Sequence, residues 1–135
     1  MNTVWRMNLE RKFIEYDYFL DDEKQNKVYI RIRLNPSNSL IESFSITYTN
    51  MSEPITHQIL RIDASEKERI HIHYFFQKPP TKEYHNKPVS GETINNYQEL
   101  IQTNWRWYWA QYKDNYLQEG GIILCICTPK QSYSK

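Results

Sequence analysis

Apolar and polar residues alternate along most of the first 77 positions and then give way to a helical period. Residues 9–20 put Ile14, Tyr16, Tyr18 and Leu20 on one side, which predicts a first strand. Residues 27–34 alternate most cleanly, with Val28, Ile30, Ile32 and Leu34 inward and Tyr29, Arg31 and Arg33 outward. Residues 40–49 set Leu40, Phe44, Ile46 and Tyr48 against Ser43, Ser45, Thr47 and Thr49. A fourth strand over 55–62 is apolar on both sides: His57, Ile59 and Arg61 oppose Thr56, Gln58, Leu60 and Ile62. The fifth, 70–77, turns Ile70, Ile72, Tyr74 and Phe76 inward and His71, His73 and Phe75 outward.

Polar turns of a few residues separate these runs, at Asp21–Asn26, Asn35–Asn38, Asn50–Pro54 and Asp63–Glu68. Connections that short join neighbouring antiparallel strands, so the pattern predicts a meander. Lys78–Lys82, with two prolines, reads as a stiff extended link, followed by a polar loop through His85 to Ser90. From Glu92 the spacing becomes three and four, through Ile94, Tyr97, Ile101, Trp105, Tyr108 and Tyr112. Gly120-Gly121 is the expected stop, and the apolar run Ile122–Thr128 is expected to return to the sheet. The expectation is one α+β domain over 1–135: an antiparallel sheet of five to six strands, with a single long C-terminal helix on one face.

Composition sharpens this picture. The chain has 11 Tyr, 5 Phe and 4 Trp but only 3 Gly. Trp107 and Trp109 flank the helical stripe, so more than half its circumference is aromatic, and a homodimer through this helix is expected. A net charge of +1 argues against a broad basic surface for duplex DNA, so any anion site must be local. No apolar run reaches the length of a membrane span, and Met1–Trp5 lacks a basic-then-apolar leader pattern. Cys125 and Cys127 sit on one strand face within an apolar run, suited to burial as free thiols. These features lead to an expectation of a cytoplasmic protein in a reducing setting, with no membrane partner.

The candidate chemistry lies on the outward face. His71 and His73, two apart on a strand, stand about 6.6 Å apart. An imidazole titrates near pH 6.5, so a neutral and a protonated ring can coexist and serve as general base and general acid. Arg31 and Arg33 share the polar face, Arg61 precedes the pair, and Lys78 and Lys82 follow it. All are suited to gripping phosphate, and Arg31, Arg33, Lys78 and Arg61 are taken as the phosphate-binding set. Acid, base and cations suffice for RNA cleavage through a 2′-hydroxyl without metal or cofactor. A metal ion is the rival use of His-x-His, and its third ligand would come from His57, His85 or Asp63. The Trp105–Trp109 run is better suited to helix packing or dimerisation than to base stacking.

Arg61-x-Asp63, a short gap, His71-x-His73-Tyr74 and a C-terminal helix bearing Asn104-Trp105 together resemble the TumE-type toxins and related small prokaryotic proteins. The likeness covers roughly residues 55–115. It departs in Ala64–Arg69, which lacks the Gly and His residues of that pattern, and in the added run at 122–128. The resemblance implies a mobile-defence or toxin–antitoxin setting, an RNA-like target and a possible antitoxin partner. The ring nucleases of type III CRISPR systems are comparable in function, as small dimers with metal-free chemistry. The sequence thus leads to a metal-independent phosphodiesterase or ribonuclease acting on RNA or a cyclic or linear oligonucleotide. The alternative is a non-enzymatic dimeric module that binds a nucleotide or a protein.

Overall fold

The computed structural model describes residues 12–52 and 54–117, together with the backbone of a short strand at 6–8. Its order is β1 (Arg6–Asn8), β2 (Phe13–Phe19), β3 (Asn26–Leu34), β4 (Ile41–Asn50), β5 (His57–Ala64), β6 (His71–Tyr74), β7 (Thr81–Tyr84) and α1 (Gly91–Tyr116). The strands pair in sequence order, each antiparallel to the next. The architecture is α+β, an antiparallel meander with one long helix, as the alternation and the short turns require. Among the described residues the sheet has seven strands. The two additional ones are β1 and β7, which lie where no alternation marks them. The expected strand at Ile122–Thr128, with Cys125 and Cys127, lies outside the described residues.

Scarce glycine leaves the tight turns to other residues. Lys12, Lys24 and Ser39 take positive φ, at 52°, 59° and 64°. The β2–β3 turn is held by Asp21, whose Oδ1 accepts from the amides of Gln25 and Asn26 at 3.1 and 3.0 Å. Asn35 Oδ1 does the same for Ser37 and Asn38 after β3.

The ambiguity of the fourth run has a local cause. Tyr48 pairs with Leu60 but Thr49 pairs with Gln58, so Ile59 is an extra residue on β5. The bulge switches the inward parity: His57 and Ile59 face the helix side before it, and Leu60, Ile62 and Ala64 after it. Ile59, Leu60 and Ile62 are all fully buried. Arg61 and Asp63 are left on the opposite face.

The helix covers the inner face. Ser90 caps it, its Oγ accepting from the Thr93 amide at 3.2 Å. Ile94, Tyr97, Ile101, Trp105 and Tyr108 are buried in one core with Val28, Ile30, Ile46 and Ile72. Buried polar groups fix the register of helix on sheet. Gln98 accepts from the Tyr18 hydroxyl at 3.0 Å and donates to that of Tyr16 at 2.8 Å. The Tyr48 hydroxyl donates to Asn26 at 2.7 Å, where the Asn50 amide also donates. No helix among the described residues is long and apolar enough to cross a membrane.

Candidate functional site

The outer face of the sheet owes its chemistry to register. Asp63 stands opposite His71 and Arg61 opposite His73 on the β5–β6 ladder. One strand away, Ser45 pairs with Asp63, and Arg31 pairs with Ser45 beyond it. Tyr84 and Lys82 of β7 close the rows beside His71 and His73. Ser43 and Ser45 carry short side chains between longer ones on either side. The result is a cleft of about 650 Å³ floored by these serines. Phe13, Arg31 and Arg33 wall one side of it, and Arg61, Asp63, His71, His73 and Lys82 the other.

Both imidazoles turn Nε2 toward Asp63. Oδ2 of that carboxylate lies 3.3 Å from His73 Nε2 and 3.7 Å from His71 Nε2. His71 Nδ1 donates to the Arg69 carbonyl at 2.9 Å, which fixes its tautomer and leaves Nε2 facing the cluster. A second carboxylate, Glu68 Oε1, also stands 3.7 Å from His71 Nε2. The β5–β6 turn places it there: Ser65 Oγ accepts from the Lys67 and Glu68 amides at 3.3 and 3.2 Å. The two rings meet edge to face at 4.9 Å, and His73 stacks on Phe75 at 5.4 Å. His71 is buried and His73 half-buried.

Protonation is shaped by these neighbours. Burial, joined by the Arg61 guanidinium, pushes the His73 imidazole below its ordinary value, so its neutral form is favoured at neutrality. Arg61 Nη2 lies 3.4 Å from His73 Nε2, while its Nε donates to Asp63 Oδ2 at 2.7 Å. Glu68 is held at about 2 by hydrogen bonds from Lys82 and Tyr84.

The cations of the cleft each have a carboxylate beside them. Arg31 pairs with Glu15 at 3.4 Å and lies over the Phe13 ring at 4.0 Å. Arg33 pairs with Glu42 at 3.1 Å and Glu66 at 3.8 Å, and Lys82 with Glu68 at 2.6 Å. The side chains of Arg31 and Arg33 are nearly half exposed, and pairs that open to water are worth at most about 1 kcal/mol.

Of the residues expected at the site, the structure gathers His71, His73, Arg31, Arg33 and Arg61 around one cleft. Lys78 stands apart. Its Nζ donates to the Asn115 carbonyl at 3.3 Å, in the last turn of the helix. The chain reverses between β6 and β7, so Lys82 instead returns to the cleft. Tyr74 directs its hydroxyl to Glu83 at 2.5 Å. Asp63 and Glu68 also join the cleft, beyond the histidine pair that the sequence marks for proton transfer. The signal for Asp63 was its spacing of two from Arg61, one short turn before the histidines. His57 and His85 are elsewhere: His57 contacts Tyr112 and Trp109, and His85 bridges Glu83 and Tyr97. Comparisons with protein-family models, curated proteins and solved structures found no match.

Proposed function

We propose that this cleft cleaves RNA, or a cyclic or linear oligonucleotide that carries a 2′-hydroxyl, without requiring a metal ion. The observation that carries this reading is the convergence of His71 and His73 Nε2 on Asp63 inside a cleft lined by three guanidinium groups and an ammonium. His73, favoured as the neutral ring, takes the 2′-hydroxyl proton. The 2′ oxygen attacks phosphorus, the bond to the 5′ oxygen breaks, and His71 gives that oxygen its proton. Asp63 faces whichever ring carries the positive charge. Arg31, Arg33, Arg61 and Lys82 bind the phosphate and the charge that builds on it in the transition state. The products are a 2′,3′-cyclic phosphate and a 5′-hydroxyl.

The resemblance to TumE-type toxins in Arg61-x-Asp63 and His71-x-His73 supports a toxin–antitoxin or antiviral-defence setting, in the cytoplasm and with an antitoxin as partner. A second reading has its own observation: the cleft cations already possess carboxylate partners, as in a module that binds a nucleotide or a protein without chemistry.

Incubating the purified protein with RNA and with cyclic oligoadenylates, with and without EDTA, separates the two. Cleavage that survives EDTA and disappears in the His71→Ala, His73→Ala double variant is the expected result. Binding without cleavage, or full cleavage by the double variant, goes against the proposal.

A further inference from the structure

We infer that Asp63, His71 and His73 also form a binding site for a divalent transition-metal ion of the zinc class, and that its occupancy switches the cleft off. The three ligand atoms lie within 4.8 Å of one another. Two imidazole nitrogens and one carboxylate oxygen are a donor set suited to zinc and its neighbours in the first transition row. Bonds of about 2.0–2.2 Å in a tetrahedral site place ligand atoms about 3.3–3.6 Å from one another. His73 Nε2 and Asp63 Oδ2 are at 3.3 Å, and His71 Nε2 is 3.7 Å from the same oxygen. The two imidazole nitrogens, within 4.8 Å of one another, are the pair that must draw together around an ion, by side-chain rotation.

The surroundings support the same geometry. His71 donates its Nδ1 proton to the Arg69 carbonyl at 2.9 Å, the outer contact that commits Nε2 to a ligand. Arg61 Nε holds Asp63 Oδ2 at 2.7 Å. The fourth position opens into the cleft. Arg61 Nη2, 3.4 Å from His73 Nε2, is the cation nearest the proposed ion, on a side chain about one-third exposed. None of the strands needs to move, since Asp63 and His71 are direct partners on one ladder.

The switching part rests on the acid–base reading above. An ion that takes the Nε2 lone pairs of both rings leaves neither able to carry a proton. The metal site itself rests on geometry alone.

Titration of the metal-free protein with cobalt(II), followed by its visible absorption and by displacement with zinc, tests the site directly. The expected result is one ion per chain, a thermal midpoint raised by zinc, and loss of both effects in His71→Ala, His73→Ala and Asp63→Asn. Circular dichroism confirms that each variant is folded. Absence of stoichiometric binding by the wild-type protein overturns the site, as does binding that survives in the His71→Ala, His73→Ala double variant. RNA cleavage assayed alongside judges the switch: inhibition by zinc that EDTA reverses supports it. Cleavage that requires zinc overturns it, and shows the metal to be part of the chemistry. Cobalt binding without any RNA cleavage leaves the metal site standing, while the switch falls together with the acid–base reading.

Discussion

At the scale of single residues, the proposed chemistry depends on His71 and His73. Replacing either with Ala should lower RNA cleavage by roughly 10²–10⁴-fold, the range for a positioned proton-transfer group. Folding should persist, because both rings lie on the face away from Ile70 and Ile72. The displaced titration of His73 has its own consequence for stability. The folded state holds this ring below its ordinary value, so the unfolded chain binds more protons just below pH 6.5. Stability should therefore fall as pH drops through that value. Urea titrations of the wild type and of His73→Asn should show this component only in the wild type. An identical pH dependence in both would mean that the ring is not held neutral by its surroundings. The placement of the two histidines was legible in the sequence, since strict alternation fixes which face each ring takes. Asp63 was less so: its meeting with both rings depends on the register across the β5–β6 turn. Lys78 shows the reverse case, close to the histidines in sequence but carried away by the reversal after Tyr74.

At the scale of elements, the helix and the bulge decide which face is core and which is site. Ile101, on the inner face of the helix, is fully buried. Its replacement by Ala should cost about 2–5 kcal/mol in a denaturant titration, while the intrinsic cleavage rate of the folded fraction stays near the wild-type value. A loss of rate without a loss of stability would show that helix and cleft are coupled through the sheet. The helix was the most legible element, because five of the six residues at a three-and-four spacing, Ile94, Tyr97, Ile101, Trp105 and Tyr108, form its buried stripe. The fourth strand was not, since no simple alternation holds across an extra residue at Ile59. The short β7 was hidden for a different reason. Its four residues are all exposed, so no hydrophobic pattern marks them, and only the backbone ladder with β6 defines the strand.

At the scale of the whole molecule, charge and assembly matter. The net charge is only +1, and Arg31, Arg33, Arg61 and Lys82 supply the cleft's positive charge. Binding of single-stranded RNA should weaken with salt along a shallow logarithmic slope, no steeper than about −3, at about 0.7 for each of four cations. A much steeper slope would point to a wider electrostatic footprint than this cleft. The proposed assembly involves the helix. Trp105 and Tyr108 are buried against this chain's own sheet, whereas Trp109 and Tyr112 are half-buried and stacked on one another at 6.0 Å. A homodimer through that aromatic flank is the proposed state, and sedimentation at micromolar concentration should show it. A monomer there would assign the flank to packing within one chain.

In the proposed reaction a 2′-hydroxyl is the nucleophile and the histidine pair moves its proton. The most direct measurement uses one oligonucleotide in two forms, all-ribose and with a single 2′-deoxy sugar at the scissile position, both in EDTA, with product ends identified by mass spectrometry. The expected result is a 2′,3′-cyclic phosphate from the ribose form and no cleavage at the deoxy position. Equal cleavage of the two forms, with a linear phosphate on the product, would contradict it.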